Sequence, residues 1–176
     1  MIHIDKGRWA HFSGKTEAET VSRLIGHITA IFEKEPTKPI CLFFSSGGGE
    51  SIPGFSFYEF IRNVLKPNLQ TVATGEVGSI ALLMYMAGSE RFVTRNSTFF
   101  VHEFGVTFAK DSRFSLSEVK SKAIDLEIDQ EKYISIVTGA TGGKLTPAGL
   151  RDMMKRVTTI TAEQAVEIGI AHEVLD

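Results

Sequence analysis

A short apolar run between two turn-forming stretches limits the folds open to this chain more than any other feature. Residues 40–44 read Ile-Cys-Leu-Phe-Phe, without alternation, between a proline and the glycine-rich residues 45–51. A strand that is apolar on both faces must be covered on both faces, which is typical of parallel sheets flanked by helices. Before this run, apolar residues recur at spacings of three and four over residues 16–35, which predicts an amphipathic helix begun by a capping box at Thr16 and Glu19.

The same plan of strand, loop and helix occurs twice. The first unit has strand 40–44, loop 45–51 and helix 52–64, and the second has strand 69–74, loop 75–78 and helix 79–87. Because the second helix is apolar all round, we expect it in the middle of the domain. Strands that alternate with helices predict an α/β fold with a mostly parallel sheet, whose active sites gather beyond the carboxyl ends of the strands. Both glycine-rich loops lie at that edge.

The rest of the chain contains no linker, internal repeat or low-complexity tract, so we predict a single domain over residues 1–176. We expect short strands at 91–94 and 98–102, an extended piece at 104–108, a long polar helix at about 115–137 and a final strand near 171–175. Two short helices before the last strand begin at Thr146 and Thr161. The length of the polar helix predicts a projecting or packing arm.

Composition excludes several classes of protein. Among 176 residues, 19 Lys and Arg stand against 21 Asp and Glu, so the net charge of −2 gives no general attraction to nucleic acid or to an anionic membrane. Cys41 is the single cysteine, so it cannot form an internal disulfide, and we expect a buried core thiol. No apolar stretch reaches the roughly 20 residues of a bilayer span, and residues 1–6 do not read as a signal peptide, so we expect a cytoplasmic protein.

Ser79, at the start of the apolar helix, allows two interpretations. A hydroxyl at this position is a common N-cap. Alternatively, Ser79 is a nucleophile, because peptide N–H groups at a helix start and in a neighbouring glycine turn can hold an oxyanion while the serine attacks a carbonyl. Gly48 and Gly49 are the candidates for the second donor, since a residue without Cβ lets the backbone approach a substrate closely.

A nucleophilic serine needs a base, and His102 is the preferred candidate. It ends the predicted strand 98–102, so it should emerge at the same edge of the sheet as the glycine-rich loops. The other histidines read as surface or edge residues: His3, His11, His27 and His172.

Two further patterns are better explained by structure. Residues 139–144, Gly-Ala-Thr-Gly-Gly-Lys, suggest a phosphate-binding loop, but Leu145 stands where Ser or Thr is needed and a helix precedes the stretch, so we predict a helix-ending turn. Four carboxylates alternate with apolar residues along the long helix and do not converge as metal ligands would: Asp125, Glu127, Asp129 and Glu131. We expect a solvated face there, and neither a metal nor another cofactor.

Four segments, in order, resemble the proteolytic subunit family of the Clp proteases. Residues 45–54 match its Asn-Ser-Pro-Gly-Gly loop, 75–81 its Gly-Gln-Ala-Ala-Ser-Met-Gly segment, 95–102 its Pro-Asn-Ser-Arg strand ending in histidine, and 165–171 its Ala-Val-Glu-Tyr-Gly-Leu-Val ending. The resemblance runs from about Trp9 to Asp176. It implies the fold shared by Clp proteases and crotonases, with a handle at about 104–138.

The same resemblance implies roles for individual residues. Ser79 would be the nucleophile, His102 the general base, and the N–H groups of Gly48 and Ile80 the oxyanion hole. The implied reaction is hydrolysis of peptide bonds in unfolded polypeptides through an acyl-enzyme. The handle helix would stack the rings of a homo-oligomer, and a substrate peptide would bind beside it as an added strand.

Two departures from the family pattern affect this transfer. Val157 stands where the family keeps the aspartate that orients the histidine, and valine cannot accept the imidazole N–H, so the third triad member is missing unless a hydroxyl such as that of Thr158, or a carbonyl, replaces it. Only about eight residues precede the first strand, where the family has a longer segment that gates the axial pore. Docking to an ATP-dependent unfoldase is therefore not favoured.

Three alternatives remain open at this stage. A lysine could replace His102 as the base, with Lys120 or Lys122 as the candidate. The missing aspartate could mean a catalytically weak or inactive ring component. An acyl-CoA enzyme of the crotonase superfamily would share the architecture and the two-donor oxyanion hole, but the chain lacks the extra length and the carboxylate pair that such enzymes generally use.

Overall fold

The structure is a computed structural model that describes residues 4–107 and 110–176. Its strands are β1 (Trp9–Ser13), β2 (Ile40–Ser46), β3 (Leu69–Gly78), β4 (Glu90–Thr94), β5 (Thr98–Val101), β6 (Thr158–Thr161) and β7 (Glu173–Leu175). Its helices are α1 (Ala18–Lys34), α2 (Ser51–Glu59), α3 (Ala81–Met86), α4 (Leu116–Gly139), α5 (Pro147–Lys155) and α6 (Ala162–Glu167). A π-helical turn, Phe60–Leu65, continues α2. The predicted α/β class is confirmed.

One mostly parallel sheet holds all seven of these strands. Its main order is β1-β2-β3-β4-β7, and each neighbouring pair in that path is parallel. Strand β5 pairs with the far end of β3 in parallel, and β6 pairs with β5 in antiparallel orientation. Parallel neighbours end at the same edge of a sheet, so the chain segments that follow β2, β3 and β5 meet there.

Strand β3 is longer than the sequence predicts, because residues 75–78 continue it and do not form a loop. Strand β2 pairs with both parts of β3, whereas the first part also pairs with β4 and the last part, from Glu76, pairs with β5. A register shift in β2 between Phe44 and Ser46 accompanies the change of partner. Gly75 allows this close approach, since a Cβ there would lie 2.6 Å from Ser45 Oγ. Gly75 therefore lies within the strand, and Gly78 is its last residue.

The apolar helix α3 lies at the centre of the core, as predicted. Every residue from Ala81 to Met86 is buried. Helix α1 covers the sheet with Val21, Leu24, Ile28 and Ile31. Cys41, in β2, is buried as expected.

Helix α4 corresponds to the long polar helix predicted at about 115–137. It begins with a capping box, in which Ser115 Oγ accepts from Glu118 N–H and the Glu118 carboxylate accepts from Ser115 N–H. At 24 residues it is about 36 Å long, from a rise of about 1.5 Å per residue. Its buried residues all lie toward its C-terminal end, from Tyr133 to Thr138, so its N-terminal part has no covering layer in the described chain.

Several local predictions need correction. Helix α1 begins one residue later than expected, with a capping box between Glu17 and Thr20, because the Thr16 backbone is held by Gly48 and Glu50 as an isolated bridge. Strand β6 is not predicted from the sequence, which assigns only its last residue, Thr161, to the start of a helix. Residues 104–107 form no strand, and Phe108 of the predicted extended piece lies outside the described residues.

Other local predictions are confirmed. Thr146 and Thr161 cap α5 and α6 through their hydroxyls. Residues 139–144 form the turn that ends α4.

Candidate active site

Ser79 lies directly beyond β3, in a backbone conformation that few residues adopt. Its φ is +54°, which is uncommon for a residue other than glycine, and strained positions of this kind cluster at functional sites. Its N–H donates to the Phe100 carbonyl at 2.8 Å, which fastens it to β5. Ser79 is not the N-cap of α3: Ile80 takes that position, without any side-chain cap. The capping interpretation of Ser79 is therefore wrong, and its hydroxyl is not used to begin the helix.

His102 follows β5 and reaches the same cavity as Ser79. In the parallel ladder Gly78 pairs with Phe100, so the residues that follow each strand emerge side by side. A cavity of about 230 Å³ is lined by both side chains: its walls are Gly49, Glu50, Ser51, Ser79, Ile80, His102, Phe104, Gly105 and Leu126. No hydrogen bond between Ser79 and His102 is formed in the described structure. Catalytic hydrogen bonds are often long before substrate binds, so a shared cavity is the relevant observation.

The imidazole of His102 is held by its own neighbour. Nδ1 lies 2.6 Å from the carbonyl oxygen of Glu103. Because a carbonyl oxygen only accepts, this contact needs the proton on Nδ1, which leaves Nε2 as the basic nitrogen of the neutral ring. The hydroxyl of Thr158, the expected orienter, instead donates to the Met153 carbonyl at 2.8 Å. The carbonyl alternative, in the form of Glu103, fits the geometry.

Val157 lies one step beyond the last residue pair of the β5–β6 ladder. Val101 pairs with Thr158, so continuing the antiparallel register sets Val157 opposite His102. Val157 has a φ of +54° and is 56% exposed. A β-branched residue is a genuine outlier in this left-handed region, whereas Asp and Asn tolerate it. Both the register and the backbone at this position suit an aspartate better than the valine that is present.

The glycine-rich loop after β2 packs directly against Ser79. Gly48 has a φ of +105°, and a Cβ on it would lie 2.7 Å from Ser79 Cβ. Its N–H donates to Ser46 Oγ at 3.2 Å, so this predicted oxyanion donor is already engaged. Gly49, not Gly48, lines the cavity. Within the described part of the chain, the N–H groups of Gly49 and Ile80 have no acceptor.

The lysines proposed as an alternative base lie away from this cavity. Lys120 is exposed on α4. The Lys122 ammonium lies 5.8 Å from the centre of the Phe114 ring, as a cation–π contact. Neither side chain is among the walls of the Ser79 cavity.

The other described histidines do not reach the cavity either. His11 and His27 are exposed, and His27 Nε2 contacts the Trp9 carbonyl at 3.4 Å. His172 Nδ1 accepts the N–H of Arg91 at 3.2 Å, and burial, with Arg91 nearby, lowers the pKa of His172. His3 lies outside the described residues.

The described residues contain neither a metal-binding cluster nor a membrane-spanning helix. Residues 4–107 and 110–176 contain no group of three or more His, Cys, Asp or Glu side chains arranged to hold a metal ion. In the same residues, no helix combines the length and the apolarity needed to cross a membrane. A further cavity, of about 730 Å³ between α2 and α4, contains neither Ser79 nor His102.

The fold and this site define a class of α/β protein in which a serine at a strand-to-helix junction faces a histidine and a glycine-rich loop. Comparison with known families matches residues 3–176 to the Clp protease family. The chain belongs to the Clp protease family.

Sequence reasoning missed three residues that shape the site. Ser46 engages the Gly48 N–H, Glu103 supplies the carbonyl beside His102, and Tyr133 of α4 donates its hydroxyl to the Ser79 carbonyl at 3.3 Å. The spacing of apolar residues on α4 predicts that Tyr133 faces the core. Nothing in the sequence indicates which backbone groups these side chains and carbonyls meet.

Proposed function

We propose that this protein is a serine endopeptidase that hydrolyses unfolded polypeptides through an acyl-enzyme. The observation that carries the proposal is the cavity of about 230 Å³ that Ser79 and His102 share with Ile80 and Gly49. Membership of the Clp protease family supports a peptidase in general. The residue roles rest on the geometry and on the motif resemblance.

The reaction begins with Ser79 Oγ, which attacks the scissile carbonyl and gives its proton to His102 Nε2. The tetrahedral intermediate then collapses, the C–N bond breaks, and His102 returns the proton to the departing amine. Water attacks the resulting ester in the same way and frees Ser79. The Nδ1 contact with Glu103 favours this assignment, because it keeps the Nε2 lone pair available.

The negative oxygen of the intermediate needs at least two donors. Ile80 N–H is one, because it follows Ser79 directly and is unengaged among the described residues. For the second, we assign Gly49 N–H in preference to Gly48 N–H, because the latter donates to Ser46 Oγ and would have to leave it. Gly48 then serves to bring the loop against Ser79.

Substrate would lie extended across the glycine-rich loop. A second cavity, of about 560 Å³, shares Gly49 and Glu50 with the Ser79 cavity. The two cavities meet at the loop, and the Ser79 cavity also touches α4 through Leu126, so a peptide can add there as a strand. An extended chain fits this path, which is why we propose unfolded polypeptides as substrates.

We also propose a homo-oligomer of stacked rings, in the cytoplasm, with α4 at the contact. Four large apolar side chains on this helix are solvent-exposed in the single chain: Leu116 (70%), Ile124 (55%), Ile128 (46%) and Val119 (44%). Exposed apolar patches on projecting helices mark protein interfaces. Sedimentation velocity should give a mass many times 19.4 kDa, and a monomer would contradict the assembly.

A fluorophosphonate probe tests the catalytic assignment. We expect a single labelled peptide that contains Ser79, with Ser79→Ala as the unlabelled control and Ser51→Ala, also at the cavity wall, labelled normally. Casein hydrolysis should disappear in Ser79→Ala. Absence of label from Ser79 in the assembled protein would overturn the proposal.

The competing candidate is a ring component without activity. The observation that favours it is Val157, which gives His102 no carboxylate partner. The same assay separates the two: Ser79-dependent casein hydrolysis excludes an inactive component, and unlabelled Ser79 favours it.

A further inference from the structure

Tyr133 of α4 contacts the backbone of the candidate nucleophile. Tyr133 is 1% exposed, and its hydroxyl lies 3.3 Å from the carbonyl oxygen of Ser79. The same oxygen accepts the N–H of Leu82 at 3.1 Å. Burial raises the pKa of Tyr133, so the hydroxyl keeps its proton and acts as the donor to the carbonyl.

This hydrogen bond bears on the oxyanion donor. The Ser79 carbonyl and the Ile80 N–H belong to one planar peptide group, so fixing the oxygen also fixes the direction of the N–H. A hydrogen bond accepted by the carbonyl also polarises the amide and strengthens its N–H as a donor. Tyr133 therefore acts on both the direction and the strength of the Ile80 donor without touching substrate.

The same face of α4 holds the opposite wall of the cavity. Gln130 Oε1 accepts the N–H of Phe104 at 3.1 Å, and the Phe104 ring packs edge-on against Tyr133 with centroids 5.4 Å apart. Leu126 lines the cavity itself. Positions 126, 130 and 133 lie on one helix face by their spacing of four and three. Phe104 is two residues after His102, so this face of α4 contacts the chain segments of both proposed catalytic residues.

We propose that Tyr133 is a positioning residue that sets the Ser79–Ile80 peptide, and so links the placement of the handle helix α4 to the oxyanion hole. The inference rests on the proposed peptidase function. A buried tyrosine hydroxyl usually finds some partner, so the test must separate positioning of the donor from mere satisfaction of a core hydroxyl.

Tyr133→Phe removes the hydroxyl and keeps the ring against Phe104. Tyr85→Phe is the matched control, because Tyr85 is also buried and donates to the Phe92 carbonyl at 3.0 Å, outside the cavity. For a short chromogenic peptide we expect Tyr133→Phe to lower kcat about tenfold, with KM within about twofold. This loss is smaller than the 10²–10³ caused by removing an oxyanion donor, because Ile80 N–H is still present. Tyr85→Phe should leave both constants near those of the wild type.

A second measurement does not depend on turnover. In protein labelled with ¹⁵N-isoleucine, the amide signal of Ile80 should shift in Tyr133→Phe and stay in place in Tyr85→Phe. An unchanged Ile80 signal overturns the inference, and so does an unchanged kcat in an active enzyme. If the wild type shows no Ser79-dependent hydrolysis, the peptidase proposal fails on its own, and the Ile80 signal alone decides whether Tyr133 sets this peptide.

Discussion

Replacement of Val157 by aspartate is the most informative change that this structure suggests. The β5–β6 ladder ends at the pair Val101 and Thr158, so His102 and position 157 are the next residues of the two segments beyond that pair. A carboxylate there can accept the Nδ1 proton that now meets the Glu103 carbonyl, and it can also stabilise the imidazolium formed during acylation. Valine does neither.

The effect on folding should be small, so activity can be read directly. A left-handed conformation costs about 1–2 kcal/mol for a residue such as valine, and Asp or Asn relieves part of this cost. Against that, Val157 is 56% exposed, so less than half of the roughly 1.5–3 kcal/mol of a buried valine is lost, about 1 kcal/mol. The two contributions nearly cancel, so the midpoint of urea unfolding should change little in Val157→Asp or in Val157→Asn.

Val157→Asn is the matched control, because it relieves the same backbone strain without adding charge. We expect Val157→Asp to label with a fluorophosphonate at Ser79 at least about tenfold faster than Val157→Asn. The ceiling is the roughly 10⁴-fold contribution of the carboxylate in an optimised triad. Equal labelling rates in the two variants would refute the claim that His102 lacks only a charged partner at position 157.

Two further predictions follow from the glycine-rich loop and from His172. Gly48→Ala should lose about 2–5 kcal/mol of unfolding free energy in urea titrations, of which about 1–2 kcal/mol comes from the positive φ and about 1–3 kcal/mol from overpacking against Ser79 Cβ at 2.7 Å. Gly47→Ala is the control and should unfold like the wild type, because its Cβ meets only the movable Glu76 carboxylate at 3.0 Å. Equal losses in the two variants would show that crowding at Ser79 is not the cause. Because burial and Arg91 lower the folded-state pKa of His172 below 6.5, the unfolded chain binds the proton first, so stability should fall as the pH drops below about 6.5. His172→Asn keeps an acceptor for Arg91 N–H and should flatten this decline, as urea midpoints at pH 7.5 and 5.5 would report, and an equally steep decline in the variant would assign the acid sensitivity to other groups.

The sequence predicts the topology of the site well, because periodicity reports which faces are buried. The unbroken apolar run of β2 and the all-apolar helix α3 indicate a covered sheet and a central helix, and both are present. Parallel strands then bring the residues after β3 and β5 to one edge, which is why the sequence predicts that Ser79 and His102 lie close together.

The local geometry of the site could not be predicted in the same way. Residues 75–78 contain two glycines, and this pattern predicts a turn. In the structure these glycines allow neighbouring segments to approach closely, and such an approach depends on the partner segment and not on the local sequence. The four residues of β6 are too short for a periodic signal, and their pairing with β5 is what brings the chain at Val157 to the segment that holds His102. The direction of the Gly48 N–H depends on a single peptide plane, which no residue pattern encodes.

In a complete triad the third residue has two separable roles. The proposed site of this chain can fulfil only one of them, because the group beside His102 is a neutral carbonyl. It selects the tautomer by accepting the Nδ1 proton, and it stabilises the imidazolium by charge. The Glu103 carbonyl can do the first, since the contact at 2.6 Å keeps Nε2 basic. It cannot supply the full charge that the second requires. In the proposed mechanism, acylation in which Ser79 transfers its proton to His102 should therefore be slow. A movement of α4 that changes the orientation of the Ser79–Ile80 peptide would act on the oxyanion, the other charge of the same transition state. Because the His102 imidazolium has no charged partner among the described residues, the acylation rate should depend more strongly on how well the oxyanion is stabilised.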